Sequence, residues 1–329
     1  MYFLLAGIFF LIFFCTICFI HRYVAEGRLL LDSRLLSWKV VSSLAVLLVL
    51  YYLADGTRLY FVIRAIGSHV SFRYIMKLVF VNIFVSNVTP LATGGGVAQV
   101  YFLSRKNVPI GEATAATSIR TILAMLVLFT LTPIIVFLEP NLFDLFYDRN
   151  IAFYIAGVAG LYLAAFFTVL FRTRVLKRIL YVSMDFFQRR KLLSRRRFRA
   201  LFMRFSRELN RFSGGFHRFF TGRPLYVFLA AVFTCFFLLL LFSFSIVLIR
   251  GLGYKIPALT ILAFQVVVTF FMYFAPTPGA TGVAEGGHGL LFAQLVQKQD
   301  ITLLTLSWRF LTIYVGVIIG ILICVQRNP

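Results

Sequence analysis

The chain has 329 residues, of which 61% are hydrophobic and 13% are charged, whereas a soluble domain is about half apolar and a quarter charged. This composition excludes an ordinary soluble protein and predicts a polytopic membrane protein. The formal net charge is +22, but residues 172–223 alone hold 16 Lys or Arg against Asp185 and Glu208. Such a block is typical of a cytoplasmic segment, so nucleic-acid binding, the competing explanation of high basicity, is not expected.

Two membrane spans are predicted before residue 70, because a span needs about 20 apolar residues. The first covers residues 2–20, which lack a basic start and a small-residue cleavage site, so we expect a retained helix. The second covers residues 38–64 and carries Asp55 and Arg58 on one helix face. Charges at this depth face the protein interior or a wet cavity. The alternative is an ordinary ion pair near a helix end.

Residues 72–104 form an apolar stretch that is broken in its middle by the sequence TPLATGGG at residues 89–96. Pro, Gly and unpaired backbone are expensive at membrane depth unless they line a cavity or are buried in protein. The apolar part that follows, residues 97–104, is too short to complete a crossing. We therefore predict a re-entrant hairpin that enters to mid-depth and returns to the same side.

A full span with Arg120 near its start is predicted at residues 112–138, followed by an acidic connector at 140–150 and a further span at 151–171. The basic segment, residues 172–223, comes next. Within it, apolar and basic residues recur at helical spacing, which is typical of an amphipathic helix on an anionic lipid surface.

The second half of the chain has the same pattern of elements. Residues 225–249 form a span, and residues 258–297 form an apolar stretch that is broken by TPGATG at residues 277–282. The last span, residues 301–325, carries Arg309. We predict a second re-entrant hairpin at residues 258–297.

The two halves are related as repeats. Aligned on their Thr-Pro pairs, the two breaks agree at five of six positions, 188 residues apart, and Arg120 and Arg309 lie 30 and 31 residues past Pro90 and Pro278. With the basic segment in the cytoplasm, the hairpins open to opposite sides of the membrane and both termini are cytoplasmic, although the orientation of the first helix stays open. The sequence predicts a single all-α transmembrane domain with two inverted-topology repeats, residues 38–138 and 224–325.

The helix breaks are the candidate binding site, because a duplicated break at membrane depth is the best sequence pointer to a transporter's substrate site. Each break starts a half-helix whose free N–H groups and positive dipole end bind anions, and glycines let a phosphate approach the backbone. Together with one Arg in each half, this pattern suits a phosphodiester headgroup. The alternative is that the glycines serve helix packing and the arginines neutralise helix ends.

Gln99 and Glu285 lie on the two returning half-helices. The sequence leaves three roles open for the Glu285 carboxylate: a partner of the helix start, a salt-bridge partner of an Arg, or a site for a proton or a cationic headgroup. Glu285 and the neighbouring His288 do not make a zinc site. Because no catalytic constellation is found either, we expect no metal, no cofactor and no enzymatic activity.

Three motifs together resemble the lysylphosphatidylglycerol synthetase/flippase transmembrane family. They are N-x-x-x-S-N-x-T-P-x-A-T-G-G-G-x-x-Q-x-Y-x-L at residues 82–103, the segment 112–120, and P-x-P-G-A-x-G-x-x-E at residues 276–285. The resemblance covers residues 5–325. In bifunctional members this region is implicated in moving aminoacylated phosphatidylglycerol between leaflets, while a separate soluble domain makes that lipid. Other stand-alone relatives are linked to different lipids, including isoprenoid-linked ones.

The resemblance implies a stand-alone, flippase-like lipid translocase of the inner membrane, without the synthase activity. Its partner would be a membrane phospholipid with an anionic or aminoacylated headgroup, and a homo-oligomer is left open. The alternatives are a membrane enzyme or accessory subunit acting on a lipid-linked substrate, and a proton-coupled small-solute transporter. The motifs and the break chemistry give the candidate substrate-binding residues: Thr93, Gly94, Gly95, Gln99 and Arg120 in the first half, and Pro278, Gly279, Gly282, Glu285 and Arg309 in the second.

Overall fold

The computed structural model describes residues 32–139, 151–171 and 195–325, together with residues 14, 18, 22 and 142, and the side chains of 153–164 and 202–325 within the later ranges. The predicted first span at residues 2–20, most of the connector at 140–150 and residues 172–194 lie outside the described residues. Within the described part the regular structure is helical and contains no β-strand. The predicted all-α class is therefore confirmed.

The described helices are, in chain order, α1 (Trp38–Ala65), α2 (Phe72–Val88), α3 (Thr93–Ser104), α4 (Ile110–Leu138), α5 (Ile151–Phe171), α6 (Arg195–Thr221), α7 (Pro224–Gly251), α8 (Ala258–Met272), α9 (Val283–Phe292) and α10 (Lys298–Val325). Within this part, four helices are long and apolar enough to cross a membrane, namely α1, α4, α7 and α10. The chain is thus a multi-pass membrane protein. Helix α10 contains a π-helical turn, Phe310–Tyr314.

The helices α1 and α7 end with the same motif. Each is followed by a glycine in the left-handed region, Gly67 at φ 88° and Gly253 at φ 93°. The residue after each glycine donates its N–H to a carbonyl of the last helical turn, that of Ile63 at 3.1 Å and that of Ile249 at 3.2 Å. This glycine-based helix stop satisfies the free carbonyls of the helix end, and it turns the chain into α2 and α8.

The two halves of the chain pack together along α1 and α7, which form the central helix pair. Tyr51 of α1 stacks on Phe237 of α7 at a centroid distance of 5.0 Å and meets Phe244 edge-on at 5.8 Å. Around this pair the short helices cross over: α2 packs against the C-terminal part of α10, and α8 packs against α4. Each of these short helices therefore contacts a long helix of the other half.

The amphipathic helix α6 lies against the beginning of α4. Glu208 accepts the backbone N–H of Gly111 at 2.8 Å, and Arg218 pairs with Glu112 at 2.6 Å. Gly215 allows the close approach, because a Cβ at this position would lie 2.7 Å from the Cβ of Ala115. These contacts fix α6 at the end of the helix bundle where α2 and α4 start.

Candidate functional site

The first helix break lies between α2 and α3, where the sequence predicts it. Thr89, the residue before Pro90, is extended at φ −117° and ψ 141°, as the proline ring requires. Leu91 and Ala92 follow in the left-handed region at φ 54° and 53°, and α3 starts directly after them. The Thr89 hydroxyl accepts the N–H of Gly94 at 3.0 Å, which ties the start of α3 to the end of α2.

The second break lies between α8 and α9, and its Pro-x-Ala turn has the same backbone conformation as the first. Gly279 and Ala280 occupy the left-handed region at φ 60° and 55°, at the positions of Leu91 and Ala92. Gly282 then caps α9, which starts at Val283. The two turns, Pro90–Ala92 and Pro278–Ala280, pack against each other. The duplicated motif is thus brought together at one place in the structure.

A cavity of about 740 Å³ adjoins the two turns and is lined by residues from both halves of the chain. Its volume lies within the range of small-molecule binding sites. Four predicted site residues line it, namely Thr93, Gln99, Arg120 and Gly279. Further polar lining comes from residues that were not among the candidates: Arg58, Asn82, Ser86, Asn87, Thr117, Ser118, Thr121, Thr269, Tyr273 and Thr277.

The charged group at this cavity is centred on Asp55, which is 2% exposed. Arg120 donates from Nη2 to both carboxylate oxygens of Asp55 at 2.6 Å, and Arg58 donates from Nε to Oδ1 at 2.6 Å. Arg120 also donates to Gln99 Oε1 at 3.2 Å, and the Arg58 guanidinium lies 3.8 Å from the ring centroid of Phe237. Of the two placements considered for Asp55 and Arg58, the structure has the interior one.

Three buried donors in this group have no hydrogen-bond partner in the described structure. They are Nη1 of Arg58, Nε of Arg120 and Nε2 of Gln99. A buried donor without a partner costs about 1–3 kcal/mol, and such groups in native proteins call for an explanation by a ligand, an ion or water. All three belong to residues that line the cavity. The site therefore holds buried donor atoms whose hydrogen bonds the described residues leave unfilled.

The second arginine is placed differently. Arg309 is fully buried and does not line the cavity. Its Nε pairs with Glu285, and its Nη2 donates to the carbonyl of Gly279 at 2.6 Å. The other oxygen of Glu285 accepts the N–H of Gly282 at 2.7 Å. Glu285 thus fills both structural roles that the sequence left open, partner of the helix start and partner of an arginine.

His288 belongs to the core behind the second turn. Its ring stacks between Phe292 and Trp308 at centroid distances of 4.2 and 4.5 Å, and its Nδ1 lies 3.0 Å from the hydroxyl oxygen of Thr305. It is fully buried and does not line the cavity. This position makes His288 a packing residue of the α9–α10 contact.

The other predicted residues support the turns. Gly94 and Gly95 lie where α3 packs on α2, since a Cβ at Gly95 would lie 1.8 Å from the hydroxyl oxygen of Ser86. Pro278 and Gly282 shape the second turn and do not line the cavity. Thr117, one helical turn before Arg120, was missed although its spacing puts both on one face of α4.

A bundle with four membrane-length helices, two broken helices that meet, and a polar cavity between its halves defines the class of polytopic helical membrane proteins with an internal cavity. The sequence model of the family described as "Lysylphosphatidylglycerol synthase TM region" matches residues 3–320, nearly the whole chain. The chain therefore belongs to this family, and the predicted resemblance is confirmed. It is also similar to a UPF0104 membrane protein of Archaeoglobus fulgidus, with 21% identity over 291 residues that cover 86% of this chain and 85% of that protein.

Proposed function

We propose that the protein is a flippase-like translocase that moves a phospholipid, or another phosphate-bearing lipid, between the leaflets of the inner membrane. The observation that carries this proposal is the polar cavity beside the two touching helix breaks. Polar side chains and broken backbone are tolerated at membrane depth where they line such a cavity. The family description, which names a lipid synthase, points to the same class of substrate.

The same proposal includes two inverted repeats, each with a re-entrant hairpin. The helices α3 and α9 have 12 and 10 residues, which is too short to span a bilayer. The packing is consistent with a two-fold relation, because α2 contacts α10 as α8 contacts α4, while α1 contacts α7 and the two turns contact each other. The matching helix stops at Gly67 and Gly253 also support it.

In this mechanism the headgroup enters the cavity while the acyl chains stay in the bilayer. Rocking of one repeat against the other exposes the cavity to each leaflet in turn. Arg120 and the polar residues beside it hold the headgroup. Residues of the two turns line the cavity between the halves. The basic segment, including the exposed Arg204 and Arg207 of α6, rests on the anionic cytoplasmic surface, and both termini lie on that side.

The proposal is tested by a substitution that fills the cavity and leaves the fold intact. A Cβ at Gly96, which lines the cavity, would meet no atom within 4 Å, so Gly96→Phe adds a ring to free space. The matched control is Val97→Phe on the same helix, because Val97 is 70% exposed and outside the cavity. In proteoliposomes with fluorescent phospholipid, we expect Gly96→Phe to slow lipid movement about tenfold or more and Val97→Phe to leave it unchanged. Equal rates for Gly96→Phe and the parent protein would refute the cavity as the lipid path.

The other two functions considered for the sequence are outcomes of related measurements. Chemical conversion of a lipid-linked substrate by the purified protein would favour the enzyme or accessory role. Uptake of a water-soluble compound driven by a pH gradient would favour proton coupling. No observation favours coupling through Glu285, since one of its oxygens accepts from Arg309 and the other from Gly282.

A further inference from the structure

The charges around the cavity do not balance. Among the described residues that line it, Arg58 and Arg120 carry the charge and no carboxylate is present. Asp55 lies behind them, and both guanidinium groups donate to it. Two cations therefore share one anion, which gives the buried group a net charge of +1.

We propose that this cavity selects lipids whose headgroup is a net anion, such as a phosphodiester with an uncharged substituent, over the cationic lysyl-bearing headgroup in the family description. The inference rests on the proposed translocase function and names its substrate class. It concerns the headgroup alone and leaves the acyl part of the lipid free.

The charged group at the cavity is complementary to an anion. A phosphate presents several acceptor oxygens, and guanidinium groups bind such oxygens in planar, charge-assisted hydrogen bonds. Arg58, Arg120 and Gln99 line the cavity, and one buried donor atom of each has no partner among the described residues. A bound phosphodiester would neutralise the surplus charge of the group, and a shift of these side chains would bring their buried donors to its oxygens.

The same two arginines repel a cation. A lysyl headgroup would bring ammonium groups beside Arg58 and Arg120, in a buried site where like charges are weakly screened. Asp55 is already shared between two arginines, and Glu285 lies outside the cavity. Tyr162 and Tyr273 also line the cavity, but an aromatic ring attracts an ammonium less strongly than a carboxylate does at contact distance.

The test measures three fluorescent lipids separately in proteoliposomes: phosphatidylglycerol, its lysyl ester and the zwitterionic phosphatidylcholine. We expect phosphatidylglycerol to move at least fivefold faster than the lysyl ester, with phosphatidylcholine between them. Arg120→Gln should reduce this preference. Arg250→Gln, which removes the same charge from an exposed position outside the cavity, should leave it unchanged.

A second variant is designed to gain an activity, because a misfolded protein cannot produce a gain. Thr121 lines the cavity and is exposed, so Thr121→Glu adds the missing carboxylate without removing the buried ion pairs. We expect the relative rate of the lysyl ester to rise in this variant, while Thr121→Gln, of nearly the same shape, leaves the preference unchanged.

Each outcome separates the substrate class from the translocase function. If the lysyl ester moves as fast as phosphatidylglycerol or faster, the anion preference is wrong and the translocase stands. If none of the lipids moves faster than in protein-free vesicles, the translocase itself is wrong. If no lipid moves but the vesicles take up free glycerol phosphate, the anion site stands and the lipid as its source is wrong.

Discussion

The two helix breaks share a sequence motif and the conformation of its turn, but the arginine that follows each makes different contacts. Arg120 is part of the cavity wall and donates to Asp55 and Gln99. Arg309 is sealed behind the second turn, bound to Glu285 and to the carbonyl of Gly279. The difference comes from the partner, since the carboxylate for Arg120 is on α1 and that for Arg309 is on the half-helix itself. The two copies of the motif therefore place their arginines differently, one in the cavity wall and one in the core behind the second turn.

The most destabilising change in this comparison is Glu285→Ala. It leaves Arg309 charged and unpaired in a fully buried position, which typically costs about 3–5 kcal/mol. We expect a large fall in the thermal unfolding midpoint in detergent. The double variant Glu285→Leu/Arg309→Met should recover much of this loss, because it removes the unpaired charge. A midpoint unchanged by Glu285→Ala would contradict the sealed arrangement.

The next pair of variants compares the two arginines by their effects on stability and on lipid movement. Arg120→Ala leaves Asp55 paired with Arg58, so we expect a smaller loss of stability, about 1.5–3 kcal/mol for the hydrogen bonds to a charged group, and lipid movement slowed about tenfold or more. Arg309→Ala should lower stability more than Arg120→Ala does. Unfolding midpoints and transport rates of both folded variants give the comparison, and the reverse order of stability effects would overturn it.

A smaller effect distinguishes the two turns themselves. Leu91 holds a left-handed conformation at φ 54°, where the second turn has Gly279. This conformation costs a residue with a side chain about 1–2 kcal/mol, whereas a glycine adds about 0.5–1 kcal/mol of entropic cost on folding. Leu91→Gly should therefore raise the stability by up to about 1.5 kcal/mol. Gly279→Leu, the reverse exchange, should lower the stability by a similar amount. A change of the same sign in both variants would show that the two turns are not equivalent.

The smallest effect is expected at the edge of the bundle. Arg218 pairs with Glu112 between α6 and α4, with the Arg218 side chain 48% exposed. Such a pair is typically worth about 0.2–1 kcal/mol, so Arg218→Ala should change the unfolding midpoint slightly, and less at high salt. A loss as large as that of Glu285→Ala would show that buried and exposed ion pairs contribute alike here.

The sequence predicted the helices well because apolar runs, prolines and glycines set helix limits locally. The breaks at Pro90 and Pro278 are visible in the chain without knowledge of its fold. The site was harder to predict, since the motif does not tell which arginine meets the cavity. That depends on packing between distant segments, such as the contact of Asp55 with Arg120 across 65 residues. Asp55 and Arg58 were recognised as charges in a span, but their link to the breaks needed the structure.

The π-helical turn at Phe310–Tyr314 shifts the helical register of the last helix, so the residues after the turn face a different direction from those before it. Such a turn adds one residue to an α-helix, and one residue corresponds to a rotation of about 100°. Beyond it, Gly316 and Gly320 meet α2 so closely that a Cβ at Gly320 would lie 2.4 Å from the carbonyl oxygen of Phe80. Deleting a single residue here would swing these glycines away from α2 and drive larger side chains into its backbone. Relatives aligned across this helix should therefore tolerate substitution within the turn far better than a change in its length.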